Sequence, residues 1–288
     1  MTGSNGMLGR EFVEVGKQTG KKMIGWTRQE LDLENPEKGI QRLKELKPDA
    51  VIHCAAETDV DLCEMKPEWA QKINAEAAGL LAEATWKLGR QFVFISTSGL
   101  FGGRKTGPFT EEDAPNPPTV YGRSKLAAER WVLTAHPEAL VLRAGWLFGG
   151  PLELKKNFVG ARLREAEGKE VIFSATDKRG SPTWTKDFAQ NTLSLLRERK
   201  NGLLHLVNAG EATRFQYVKE ILRLGGCKTS VEPVDSRVMP RLAPVPNDES
   251  LRSVVLPPLR RWTLAMEDYF QELTKPMPEL AKVRSGPN

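Results

Sequence analysis

The chain has 288 residues, of which 40% are hydrophobic and 27% charged, and a formal net charge of +5. That length supports a full α/β core with a smaller lobe, and no apolar run is long enough to span a bilayer, so a membrane partner is not expected. The basic residues are scattered rather than gathered on one arm, which favours small anions over nucleic acid; three cysteines without a CxxC pair and three scattered histidines give no metal site and fit a reducing, cytoplasmic compartment.

The chain opens on MTGSNGMLGREF. Gly3, Gly6 and Gly9 have the spacing of a tight turn that lets backbone approach a pyrophosphate and then starts a helix, here expected over 6–18. A buried strand belongs before such a turn, yet only Met1 and Thr2 stand there. The expectation is that the first strand is missing from the given sequence and that Met1 is an internal methionine of a longer chain.

Apolar runs then alternate with helical patterns. Strands are expected at 22–26, 50–56, 91–96 and 139–148, and helices at 36–46, 66–89 and 120–135. This βαβ rhythm predicts a Rossmann-type, doubly wound parallel sheet of the α/β class. The runs AVIHCAA and QFVFIS do not alternate, as suits strands covered on both faces. Beyond about residue 150 the rhythm loosens into helices at 155–167, 186–199, 214–224 and 259–273, with strands at 170–173 and 203–207. The expected organisation is a dinucleotide-binding domain over 1–150 and, over 151–288, a smaller substrate lobe with segments returning to the main sheet. The tail KPMPELAKVRSGPN reads as frayed.

Several residues carry chemistry at these positions. Arg28, beside Thr27 after the expected second strand, is placed to meet the extra phosphate of NADP, where an acid would select NAD. Asp32, in LDL, reads either as an adenine contact or as a turn former. Tyr121 and Lys125 are four apart and share one helix face. Free tyrosine ionises near a pH of about 10, so a neighbouring ammonium that favours phenolate would help it exchange protons. Ser96, Thr97 and Ser98 put hydroxyls at the C-terminal end of a central strand, the edge where open parallel sheets bind ligands.

Taken in order, the segments GSNGMLGRE, KPDAVIHCAAETDVDLCE, KINAEAAGLLAEA, FISTSGLFGG, PPTVYGRSKLAAE and LVLRAGWLFG resemble the extended short-chain dehydrogenase/reductases, and within them the dTDP-4-dehydrorhamnose reductase group. The segments from NFVGARLREAEGKE to PRLAPVPNDESL resemble its substrate lobe. The resemblance implies NADPH-dependent reduction of a nucleotide-linked 4-keto sugar. NADP is the implied cofactor with NAD admitted, and a homodimer is also admitted. Tyr121 would give the proton, Lys125 would assist it and hold the nicotinamide ribose, and Thr97 would hydrogen-bond the carbonyl oxygen. The implied cofactor set is Gly3, Asn5, Gly6, Met7, Leu8, Gly9, Arg28, Asp32, Leu33, Ala55 and Ala56, with Tyr121 and Lys125. Ser98, Trp146 and Asn157 are implied at the substrate, Trp146 being equally readable as core. Asn74 would support the lysine or kink its helix, and Asp187 would cap a helix or fasten the lobe. Where the group carries an Asp-Tyr pair after the hydroxyl, this chain has Ser98-Gly99. That departure admits another keto sugar, or a non-catalytic NADP-binding regulatory subunit. An epimerase or dehydratase would share the Tyr-Lys pair.

Overall fold

The structure, a computed structural model, describes residues 1–102 and 107–274. At its centre is a four-stranded parallel sheet, with Ala50–His53, Gln91–Thr97, Leu140–Ala144 and Gly202–Leu206 side by side in that order. The register pairs Val51 with Phe92, Val93 with Leu140 and Leu142 with Leu204. Side chains along Gln91–Thr97 point alternately to the two faces, as the two-residue period of a strand requires. Phe92 and Phe94 meet Leu81, Ala128 and Val132 of the helices Ala77–Lys87 and Val120–Ala135. Val93 and Ile95 meet Phe12, Phe188 and Leu196 of the helices Met7–Gln18 and Thr185–Arg197. Both faces are thus covered, which is why the strand sequences are mainly apolar and do not alternate. The fold class is the one expected.

The edge beside Ala50–His53 is where the expectations needed correcting. Residues 22–26 do not form a strand: only Trp26 bridges, in parallel, to Thr2, which also bridges to His53. Thr2 N donates to Ile52 O at 3.0 Å and Trp26 N donates to Met1 O at 2.8 Å. Met1 and Thr2 thus lie between Trp26 and His53, where a first strand would pair, and Met1 N donates to Ile24 O at 2.7 Å.

Other boundaries moved for local reasons. The helix expected over 66–89 is Pro67–Gln71, a π-helical turn Lys72–Glu76, and Ala77–Lys87. The run expected over 139–148 breaks at Gly145, where a Cβ would stand 2.1 Å from Ser181 O, and resumes as Trp146–Phe148 paired with Pro182–Trp184. The helix expected from 155 starts at Phe158, capped by Asn157. The last helix is Trp262–Thr274, preceded by the short strand Leu259–Arg261. The tail read as frayed, 275–288, lies outside the described residues. A third core, with Trp146, Phe148, Tyr217, Ile221, Trp262 and Tyr269, gathers residues from the second half of the chain around a separate interior.

A buried ion pair ties helix to sheet. Arg143 donates from Nε and Nη2 to the two oxygens of Glu129, at 2.9 and 2.7 Å, and both side chains are almost wholly buried. Such a pair adds little against apolar neighbours, but breaking one half strands a charge in the interior. Glu129→Ala should therefore cost about 3–5 kcal/mol in urea unfolding, and adding Arg143→Met should restore most of it.

Candidate active site

The opening glycines build one end of the site. Gly3 has φ of +70°, and a Cβ there would lie 3.0 Å from Ala55 N; a Cβ on Gly9 would lie 2.0 Å from Gly3 O. The turn therefore packs backbone against backbone in a way side chains would prevent. The helix Met7–Gln18 that follows starts at Gly6 with no side-chain cap and no acid in its first turn, so its first amides and its dipole are open to an anion.

Gly3, Asn5, Gly6, Met7, Leu8 and Gly9 line a cleft of about 480 Å³ that runs past Ala55 and Ala56. Arg28, Asp32 and Leu33 lie along the same cleft, as do Thr97, Tyr121 and Lys125. Arg28 is exposed and pairs with Glu34 at 3.4 Å. Asp32 accepts from Glu34 N at 3.0 Å, which makes it a turn former that also faces the cleft.

Thr97 ends its strand, and its hydroxyl accepts from Gly99 N at 3.1 Å and lies near enough to the Tyr121 phenol to act on its ionisation. Lys125, one helical turn after Tyr121, donates from Nζ to Ile95 O at 2.7 Å and stands 3.9 Å over the Phe94 ring. Burial lowers the Lys125 amine to about 7, with Glu129 and Cys54 opposing. Burial also raises the Tyr121 phenol to about 12, with Thr97 opposing. The lysine was expected to draw the phenol toward phenolate; instead desolvation dominates and the phenol keeps its proton through neutral pH. Ser96 lines the cleft too, but its buried Oγ has no partner among the described residues.

Asn74 lies in the π-helical turn and holds a loop, accepting from Glu57 N at 2.8 Å and donating to Glu57 O and Ser124 Oγ at 3.0 Å each. Asp187 fastens the lobe, bound by Arg260 Nε at 2.8 Å and Asn208 Nδ2 at 2.7 Å.

The three residues implied at the substrate do not share the cleft. Ser98 is buried and donates to Glu249 Oε2 at 3.2 Å. Trp146 lines a second cavity of about 440 Å³, where the Arg214 guanidinium covers its ring at 3.5 Å. Asn157 lines neither cavity. Fully buried, it accepts from Gly160 N and donates to Gly149 O and Pro151 O, each at 3.0 Å, so the structure assigns it to capping a helix.

Three residues facing these cavities were not read from the sequence. Lys156 reaches across the cleft to Glu57 Oε1 at 2.9 Å and Thr58 Oγ1 at 3.0 Å. Arg214 and Glu249 line the second cavity. Of these only Lys156 carried a sequence signal, as the neighbour of Asn157; the other two act over long separations.

Comparison with known proteins follows the same outline. The family model described as the RmlD substrate binding domain matches residues 1–275. A probable dTDP-4,6-dihydroxy-2-methyloxan-3-one 4-ketoreductase of Streptomyces antibioticus is 36% identical, over 95% of this chain and 94% of its own. The crystal structure of a dTDP-4-dehydrorhamnose reductase from Clostridium acetobutylicum is similar with a TM-score of 0.90 at 33% identity, covering 95% of this chain and 98% of that one. A dTDP-4-dehydrorhamnose reductase from Bacillus anthracis, solved in complex with NADP, gives 0.89 at 29% identity, covering 94% and 97%.

The burial of Lys125 can be measured directly. In the protein without added nucleotide its amine should titrate near pH 7 rather than near the value of about 10.4 for a solvated lysine. The 13Cε shift in lysine-labelled protein reports this, with Lys125→Met identifying the signal; a midpoint above pH 10 would mean the ammonium is solvated.

Proposed function

Because the chain belongs to the RmlD substrate binding domain family, we propose that it reduces the keto group of a nucleotide-linked sugar with NADPH. The observation that carries this is the convergence of Thr97, Tyr121 and Lys125 on the cleft that the opening glycines also line. We assign residues 1–150 to the cofactor and most of the remainder to the sugar nucleotide. Three free cysteines support a cytoplasmic location.

The residues fit a dinucleotide. The turn at Gly3 and Gly9 has no room for a Cβ, and the uncapped helix start beyond it faces the cleft. Its amides would hold the pyrophosphate. Ala55 and Ala56 would let the ligand lie close to the strand end, and Asp32 and Leu33 would border its adenine. Arg28 would meet the extra phosphate of NADP, its solvated contact with Glu34 giving way to a phosphate, with which guanidinium pairs well.

When bound, NADPH supplies the hydride. Thr97 and Tyr121 hold the ketone oxygen between two hydroxyls, placing donors where negative charge develops. Tyr121 then gives its proton to that oxygen. Its raised pKa suits this direction, since a reductive donor must arrive protonated. Lys125, fixed by Ile95 O, sits one turn away as the cation that steadies the phenolate left behind. The second cavity, with Arg162, Lys178, Arg214 and Arg241 on its walls, suits the diphosphate of the sugar nucleotide.

Incubation with NADPH and a panel of dTDP- and UDP-linked 4-keto sugars should give loss of nicotinamide absorbance. Tyr121→Phe should lower kcat by roughly 10²–10⁴-fold while NADPH fluorescence still reports binding. Unchanged turnover in that variant would remove the phenol from the reaction. Arg28→Ala should weaken NADPH about tenfold and leave NADH nearly unaffected; equal weakening of both would remove Arg28 from the phosphate.

A further inference from the structure

Glu249 lines the second cavity, and its carboxylate and the Tyr121 ring both lie close to Gly99. Its loop is pinned on both sides: Glu249 N donates to Arg179 O at 3.0 Å, Arg179 N donates to Asn247 O at 2.7 Å, and Ser250 O accepts from Phe109 N at 2.8 Å. The carboxylate is therefore delivered by fixed backbone. Among the described residues only Ser98 donates to it, at 3.2 Å, onto one of its two oxygens. A carboxylate has about four acceptor positions, so most of its capacity is unused although the residue is half-buried.

What it faces is set by Gly99. A Cβ at that position would lie 3.8 Å from Glu249 Oε2, 3.8 Å from Tyr121 Cε1 and 3.5 Å from Thr97 Oγ1. A Cβ there would touch all three, so glycine leaves room for one small group between carboxylate and phenol. The charge of Glu249 acts on Tyr121 from one side and on Arg214, over Trp146, from the other.

We propose that Glu249 is a specificity-determining residue: its carboxylate accepts a hydrogen bond from the sugar hydroxyl on the ring carbon beside the ketone while the ketone oxygen lies at Thr97 and Tyr121. Ser98 is then a positioning residue that aims the carboxylate. This rests on the ketoreductase reading and adds to it the feature of the sugar that is recognised. The chemistry follows from the open space and the unused acceptor sites. A hydroxyl next to the carbonyl is a neutral donor of the right size, and a sugar lacking it would leave the carboxylate with Ser98 as its one donor among the described residues while the ligand excludes water, an arrangement that discriminates between substrates.

The test compares a dTDP-linked 4-keto hexose bearing a 3-hydroxyl with its 3-deoxy analogue, in wild type, Glu249→Ala and the near-isosteric Glu249→Gln. Wild type should prefer the hydroxylated sugar in kcat/KM. Glu249→Ala should shrink that preference roughly 10- to 100-fold, and Glu249→Gln by less, since one acceptor oxygen remains. A preference unchanged in both variants, or an equal loss of activity on the two sugars, overturns the assignment. No turnover of either sugar by wild type that still binds NADPH overturns the ketoreductase reading, and this assignment with it.

Discussion

The hydrogen bond from Lys125 Nζ to Ile95 O fixes the placement of everything reactive in this molecule. It joins the helix Val120–Ala135 to the central strand Gln91–Thr97, and residues four apart on that helix form a single stripe facing the sheet. Tyr121 meets Thr97, Lys125 meets the carbonyl of Ile95, and Glu129 meets Arg143 on the next strand. Because the three contacts lie on one helix face, a slide of the helix along the sheet would break all of them at once. The phenol is thus held in register with the strand end by a tie one turn away and a second, buried ion pair one turn further on.

The same burial that makes the register rigid sets the protonation states. Desolvation keeps the phenol neutral and brings the amine to the edge of deprotonation at neutral pH. The amine's main electrostatic support comes from Glu129, so the helix stripe links the ion pair that stabilises the fold to the charge available at the cleft. Arg214 repeats the pattern in the second cavity: burial lowers it to about 10, with Glu249 opposing, while its guanidinium stands 3.5 Å over the Trp146 ring. Each cavity therefore holds a partly desolvated cation, and an anionic ligand entering either one would meet a partner that water no longer satisfies.

How much of this could be read from sequence depended on the distance over which a residue acts. The sheet was legible because strands covered on both faces are mainly apolar without alternation, as AVIHC and QFVFIS are. Tyr121 and Lys125 were legible because a spacing of four on a helix fixes their common face, and the glycine turn because its spacing is itself the structural requirement. The run at 22–26 looked like a strand by composition, yet a strand needs a partner and only Thr2 and its neighbour supply one. Asn157 followed a pattern that implied substrate, but its amide is consumed by the helix start and by carbonyls of the preceding loop. Glu249 left no local trace, since the hydroxyl it meets is 151 residues earlier.

That contrast reflects a division of labour within the fold. The cleft around Tyr121 is built on the ends of sheet strands and on the helices Met7–Gln18 and Val120–Ala135, elements whose periodicity writes itself into the sequence. The second cavity takes part of its wall from the loop 239–249, held by bonds over long separations: Lys178 Nζ to Val245 O at 2.7 Å, and Ala243 N to Asp61 Oδ1 at 2.9 Å. Chemistry placed on the rigid part persists while loop residues are exchanged, because a loop substitution alters what is recognised without disturbing the helix register. The Ser98-Gly99 departure has this character. It leaves Thr97 in place at the strand end, clears the space beside it, and opens that space to a carboxylate carried by a loop from the other half of the chain.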